Sequence, residues 1–561
     1  MSESPGRCRP LRAWEAARFI ISTPHERPKR SRIPPAAGPQ TPAAGCGVFQ
    51  AVYDVTRRLR LPTFVAPTRG DLIAGVSVAL VLIPQSLAYA KLAGLEPIHG
   101  LYAAAAAPIA AAAIGSSPYL QTGPVALTSL LTLGALSPLA TEGSADFAAH
   151  AMLLALLVGA ARLALGLLRL GAVAYLMSVP VVTGFTVAAA LLITASQVPS
   201  FVGLDADEAN PVVAAARALA APGQWSLAAI AVGLVTIGVV VGGRRISAVF
   251  PWILLATLAG LLASEFGVVD APRVGSIPSG LPSLALDLPW SSFADLIVPA
   301  MVIAVVGFAE PASIARKYAA EDRMRWDPDR EFVGQGLANL AAGAVGGYPA
   351  GGSFSRSALS RISGARTRWS GAISGIVVLA VLPAADVLSA LPLAVLAGLV
   401  ILAAVSLVDI TPFLDYWDHS RPQFLVAVPT FVVTLAAAPR VERGLLVGVG
   451  LALAVHLWRE MRLDVEFWRD GSTLHIRPHG VLYFVSAPIL ETRLTALLAE
   501  HPDITAISLD LQRLGRLDLT GLYALRDLVI QARAAGITVG LDDVPAHAAE
   551  RVRAVLGPHL G

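Results

Sequence analysis

The chain has 561 residues, of which 55% are hydrophobic and only 14% charged, and its mean hydropathy is +0.65. Too little polar surface remains to coat a soluble particle of that length, so the sequence describes a polytopic membrane protein. A net charge of +3, with its basic residues gathered at particular loops, excludes a nucleic-acid surface. The two cysteines, Cys8 and Cys46, exclude a disulfide framework and a Cys-ligated metal site in the spans.

Residues 1–60 are rich in Pro, Arg and Ser and hold no apolar run suited to a cleavable signal. They read as a flexible basic arm ending in Arg57-Arg58-Leu59-Arg60 at the anionic lipid of the inner leaflet, or as translation upstream of the true first residue. A transmembrane region is expected over residues 65–460, where apolar segments approach the roughly 20 residues that cross hydrocarbon. Its expected spans are 71–91, 97–114, 122–138, 150–169, 172–197, 226–242, 248–265, 292–317, 331–346, 353–363, 369–389, 391–408, 422–438 and 440–458.

These fourteen divide as seven plus seven, and the third of each half is short or interrupted, the correspondence that an inverted repeat requires. The two begin at Leu120-Gln121-Thr122-Gly123-Pro124-Val125-Ala126 and at Gly346-Gly347-Tyr348-Pro349-Ala350-Gly351-Gly352-Ser353-Phe354-Ser355-Arg356. Glycine and proline interrupt a continuous helix there, and a new helix that starts at mid-membrane presents unpaired amides. Two facing openings of this kind form an anion site; ordinary loops between spans are the alternative.

Basic clusters at Arg244-Arg245, Arg316-Lys317 with Arg323, Arg325 and Arg330, then Arg361, Arg366 and Arg368, and Arg459 with Arg462 and Arg469 fall on one side of this alternation. The positive-inside bias therefore predicts that both termini are cytoplasmic, in a plasma or inner membrane. After residue 470 the pattern becomes that of a small α/β domain over 470–556. Strands are expected at 474–476, 481–485, 504–511 and 537–541, and helices at 489–498, from Asp518-Leu519-Thr520-Gly521 to Ala534, and near 546–556.

Gly70-Asp71-Leu72-Ile73-Ala74-Gly75, Ile83-Pro84-Gln85-Ser86-Leu87-Ala88-Tyr89-Ala90, Gly94-Leu95-Glu96-Pro97 and Gly100-Leu101-Tyr102 resemble the first-span signature of the sulfate permease (SulP) family of anion transporters. Gly334-Gln335-Gly336-Leu337-Ala338-Asn339, Gly347-Tyr348-Pro349 and Gly352-Ser353-Phe354-Ser355-Arg356-Ser357-Ala358 resemble its ninth and tenth spans. The carboxy-terminal region is similar to the STAS domains that follow the membrane part in that family. The resemblance implies a seven-plus-seven inverted repeat with core and gate subdomains, an inorganic oxyanion substrate and a homodimer.

An anion in a low-dielectric site must exchange hydration for fixed donors. The amides near Val125-Ala126 and Phe354-Ser355 supply them without a full charge; Ser355 adds a hydroxyl, where the family places a substrate contact. Arg356 is either a nearby cation or a structural residue that pairs with a carbonyl or snorkels. Gln85 and Tyr89, four apart beyond Pro84, share a helix face. They match positions bordering the family's pocket, or serve interhelical packing.

Glu310 lies in the apolar run Val302 to Ala312, where a permanent charge is costly, so it reads as a proton-coupling acid or as one half of an ion pair, with Arg356 for example. By resemblance this position holds a coupling acid, although Pro311 departs from the commonest pattern. Thr520 occupies the place of a phosphorylated serine in related STAS regulators, or belongs to a plain helix cap.

The expected function is proton-coupled import of an oxyanion, sulfate first and bicarbonate or a dicarboxylate next, by an elevator-like movement. A sensor or scaffold acting through a cytoplasmic partner of the STAS-like domain is the competing class. No nucleophile–base pair, phosphate loop or metal spacing points to an enzyme or a cofactor, and His456 in the last span reads as a helix-interface residue.

Overall fold

The computed structural model describes residues 65–172, 178–204, 210–247, 250–281, 284, 287–460, 464–482, 487–545 and 548–560. The expected basic arm of residues 1–60 lies outside them, as do the start of the fifth expected span and Tyr483-Phe484-Val485 of an expected strand.

Each expected span corresponds to a helix. The first half holds α1 (Arg69–Leu92), α2 (Pro97–Ile114), α3 (Ala126–Leu136), α4 (Ala145–Leu167), α5 (Val179–Val202), α7 (Leu227–Ile246) and α8 (Trp252–Glu265). The second holds α9 (Phe293–Glu321), α10 (Pro328–Ala344), α11 (Phe354–Ile362), α12 (Trp369–Val381), α13 (Leu393–Val405), α15 (Arg421–Ala436) and α16 (Glu442–Glu460). Among the described residues seven helices are long and apolar enough to cross a membrane, counting α12 with its 3-10 extension to Ala390.

Two helices lie where the sequence predicts only connections. α6 (Pro211–Ala220) buries only the stripe Pro211, Ala214, Ala215 and Ala218, and α14 (Thr411–His419) buries no residue fully. Both are too short to cross hydrocarbon, and their apolar faces are too narrow to register as spans.

Short polar residues set the helix starts. Thr68 caps α1 in a reciprocal capping box with Asp71. The other oxygen of the fully buried Asp71 carboxylate accepts the Arg366 and Thr367 amides, both at 2.8 Å, which clamps α1 to the chain entering α12. α1, α2, α3, α4, α9, α10, α11 and α12 pack as one bundle, and α5, α7, α8, α13, α15 and α16 as a second.

Within the first bundle α1 and α2 cross at backbone contact. A Cβ at Gly100 would collide with the Ser86 carbonyl oxygen, as one at Gly375 would with the Ala105 carbonyl across the α2–α12 crossing. Gly100→Ala is therefore expected to destabilise the bundle by about 1–3 kcal/mol, the usual cost of overpacking. The check is a lowered thermal midpoint of purified protein in detergent.

The carboxy-terminal part folds as a five-stranded sheet of order β3-β4-β5-β7, with β6 also paired to β4. Its strands are β3 (Asp464–Asp470), β4 (Thr473–Leu482), β5 (Ala506–Asp510), β6 (Leu514–Leu517) and β7 (Thr538–Asp542). The helices are α17 (Ala487–Glu500), α18 (Leu519–Ala534) and α19 (Ala549–Leu560). β3 pairs antiparallel with β4, and the other pairings are parallel. Ile476, Leu509, Leu511, Val529 and Leu556 are fully buried in its core.

The sequence reading passed over β3 and β6: β3 keeps only Val465 buried among charged neighbours, and β6 spans four residues. At the end of β5, burial works against the Asp510 carboxylate, but the Gln512 amide at 2.9 Å and the Arg477 guanidinium at 2.7 Å outweigh it and hold the carboxyl below its ordinary range. A depressed native value stabilises above the unfolded pKa of about 4 and is lost as pH falls through the native one. Asp510→Asn is expected to cost about 1.5–3 kcal/mol at neutral pH. Faster hydrogen exchange of the β5 amides in the full-length chain reads the loss, and its difference from the parent shrinks below about pH 4.

Candidate anion site between two helix openings

The two interrupted stretches meet. β1 (Thr122–Gly123) and β2 (Gly351–Gly352) pair antiparallel, with Thr122 opposite Gly352 and Gly123 opposite Gly351, and the Ser353 amide donates to the Gln121 carbonyl at 3.0 Å. α3 and α11 start immediately after these strands, so their amino ends are fixed side by side. Gly123 has φ +154°, within the region that favours glycine.

A cavity of about 730 Å³ opens against both helix starts. Gln85, Tyr89, Val125, Ala126, Phe354 and Ser355, six of the seven residues expected to bind substrate, line it together with Glu310. The opposite wall comes from the second bundle, through Val240, Arg244, Ile253, Leu399, Leu402, Ala403, Ser406 and Leu407. A second, mostly apolar cavity of about 670 Å³ between α5 and α9 shares Leu127, Glu310, Phe354 and Leu407 with it.

The two openings differ. No side chain caps the first turn of α3, whose amides have no partner within the helix. At α11 the Arg356 amide donates to the Ser353 hydroxyl oxygen at 3.5 Å, and the Phe354 amide donates to Glu310 Oε1 at 3.1 Å. Glu310 thus occupies one of the amides expected to hold an anion, and Ser355, exposed to the cavity, contacts Ser353 through its hydroxyl at 3.3 Å.

Arg356 is the expected residue that does not line the cavity. It is 1% exposed and points behind it, donating to the Pro124 carbonyl at 2.8 Å and to Gln85 Oε1 at 3.2 Å. The guanidinium braces the turn before α3 and does not snorkel. Because arginine can only donate, Gln85 must present its oxygen to it, which leaves the Gln85 amide hydrogens for the cavity. The expected alternative of a Glu310–Arg356 ion pair gives way to these contacts and to the Phe354 amide.

Several residues support the site in roles that the sequence alone does not assign. Gln121 donates to Ser360 and Ser370, each at 3.0 Å, and its own amide donates to Ser357 at 2.9 Å. Asn339 brackets Ala350 from both sides, and Gln335 donates to Thr122 at 2.7 Å. Arg162, fully buried in α4, donates to the carbonyls of Ile303, Ala304 and Ala350 at 2.9–3.1 Å, tying α9 to the chain entering β2. An arginine inside the apolar run of α4 was the available signal for that last one. In the carboxy-terminal domain Asp518, not Thr520, caps α18 by accepting the Gly521 amide at 2.6 Å, and Thr520 is exposed in its first turn.

Comparison with known proteins accords with this architecture. The sulfate permease family model matches residues 68–430 and the STAS domain model residues 465–555. The chain is 30% identical over 516 residues to sulfate transporter 4.1, chloroplastic, of Arabidopsis thaliana, across 84% of this chain and 75% of that one. It shares the fold of the murine Solute Carrier 26 family member A9 anion transporter in the inward-facing state, with TM-score 0.80 at 19% identity over 92% of each chain. It is also similar to the transmembrane domain of the cyanobacterium bicarbonate transporter BicA, with TM-score 0.59 and 27% identity over 68% of this chain and 97% of that one. With its paired half-helices, two bundles and terminal α/β domain, the chain is an integral multi-pass membrane protein that belongs to the sulfate permease family of transporters.

Proposed function

We propose that this protein is a secondary active importer of a small inorganic oxyanion, sulfate, coupled to protons through Glu310. The observation that carries the reading is the single cavity in which two helix openings, Ser355 and Glu310 meet. The α3 amides, the Ser355 hydroxyl and the Gln85 amide hydrogens replace the hydration shell of the anion without placing a full charge against it, so that the anion can also leave.

Glu310 holds the Phe354 amide in competition with an anion. Protonation weakens it as an acceptor and releases that amide, while an anion beside the carboxylate favours its protonated form. Proton and anion therefore bind together, as symport requires.

Movement is read from two cavities. One of about 1250 Å³, lined by Lys91, Glu96 and Glu142 among others, includes Ala88 of α1 and Leu396 of α13. Their near neighbours Tyr89 and Leu399 line the anion cavity instead. A displacement of the first bundle along the second would transfer the site from one cavity toward the other, in the manner of an elevator. In this reading both termini face the cytoplasm, the Arg244 end of the cavity is the inner one, and the chain acts as a homodimer in the cell membrane. Thr520 and the exposed Leu519, Tyr523 and Ile530 of α18 offer a face for a cytoplasmic partner.

Bicarbonate is the second reading, favoured by the likeness to the bicarbonate transporter. Purified protein in proteoliposomes, given labelled sulfate, bicarbonate and a dicarboxylate under separately imposed pH and sodium gradients, distinguishes them. Sulfate uptake driven by an inward proton gradient and indifferent to sodium is the expected result.

A further inference from the structure

We infer that Arg244, on the wall opposite the helix openings, is a charge-selectivity residue that favours dianions over monoanions in the cavity. The inference rests on the proposed anion site and adds to it a residue from the second bundle. Among the described residues, Arg244 and Glu310 are the charged groups of the cavity lining. Val240 and Arg244 are one turn apart on α7, and both face the cavity. That face is held in place from behind: Gly243 lies directly against the Trp252 ring of α8, leaving no room for a Cβ, and the Trp252 indole donates to the Ser247 carbonyl at 2.8 Å.

The range of the charge is sufficient. Arg244 and the helix-start residues Val125, Ala126, Phe354 and Ser355 border one cavity, so the guanidinium acts across that space and not through a long path of bulk electrolyte. Arg244 is exposed, so its effect is moderate. Coulomb energy is proportional to the charge of the anion, so whatever factor the guanidinium adds to monoanion affinity is squared for a dianion. The helix amides and the Ser355 hydroxyl recognise oxygen atoms, which sulfate and bicarbonate share. A fixed cation across the cavity separates them by charge, in addition to the buried Arg356 guanidinium behind Gln85.

The test is equilibrium binding of labelled sulfate and labelled bicarbonate to full-length purified protein. Arg244→Gln is expected to weaken bicarbonate binding about threefold and sulfate about ninefold, because the factor squares. Arg244→Lys keeps the parental ratio, and so does Arg245→Gln, which removes the neighbouring cation that does not line the cavity. Equal losses for both anions, or none, would overturn the inference while leaving the site intact. A parent that binds neither anion would overturn the site itself.

If the Gln variant is not monodisperse, Arg244→Cys in a chain whose Cys8 and Cys46 are replaced by Ser gives the same comparison. A cationic thiosulfonate adduct should then restore the sulfate-to-bicarbonate ratio where a neutral one does not. Equal ratios for the two adducts count against Arg244.

Discussion

Ser355→Leu is expected to abolish sulfate binding and transport together, whereas Ser355→Thr retains part of both. Ser355 sits in the first turn of α11, exposed to the cavity, beside the Ser353 cap and one residue from the amide that Glu310 holds. Leucine removes a hydroxyl donor and fills the space in which an anion must approach the helix start. Each charge-assisted bond denied to a buried anion costs about 1.5–3 kcal/mol, roughly tenfold to a hundredfold in affinity. The measurement is equilibrium binding of labelled sulfate to monodisperse protein, which separates a damaged site from a blocked movement. Parental affinity in the Leu variant would place the substrate elsewhere and remove the reading of the two openings as one site. Thr keeps the hydroxyl and adds one methyl group at a position already open, so partial binding there locates the loss in Leu at the site and not in the fold.

The two openings were legible in the sequence because glycine and proline interrupt an apolar pattern at Gly123-Pro124 and again from Gly346 to Gly352, and such interruptions are costly in lipid unless protein covers them. Glu310 was legible for a related reason, as an acid in an apolar run. The partners of these residues were not legible. Arg356 follows Ser355 in the chain, yet one helical step turns its side chain away from the cavity and toward Pro124 and Gln85, more than 200 residues earlier.

Arg244 shows the converse. By sequence it is half of a basic pair that orients a loop, and only the fold puts it on the same cavity as the starts of α3 and α11. Periodicity reports which face of a helix is apolar, not which helix it will meet. Gln121 and Asn339 stand in the quoted motifs but carry no role there, on the same ground: their value lies in contacts with Ser360, Ser370 and Ala350, which the chain brings together only after folding.

Glu310→Gln is expected to leave sulfate binding in place but to remove both its pH dependence and the stimulation of uptake by an inward proton gradient. Glutamine has the shape of the protonated acid, and its oxygen can still accept from the Phe354 amide, so the start of α11 keeps its support. As a neutral acceptor it competes for that amide less than a carboxylate does. Linkage fixes the sign. If an anion favours the protonated form of Glu310, then in the parent protein acid must favour the anion, and sulfate affinity rises as pH falls. The variant has no proton to exchange at this position, so its affinity should be flat with pH and close to the low-pH value of the parent. On the proposed elevator-like movement, sulfate–sulfate exchange between equal concentrations should continue, because that displacement of the loaded bundle does not require a proton on residue 310. Net uptake against a sulfate gradient should not, because the second gradient no longer has a carrier. Binding is measured on purified protein across pH, and uptake in proteoliposomes with an imposed pH step. A variant with the parental pH dependence would move proton coupling to another group, whereas one that bound no sulfate at any pH would make Glu310 part of the site's framework and not its proton carrier.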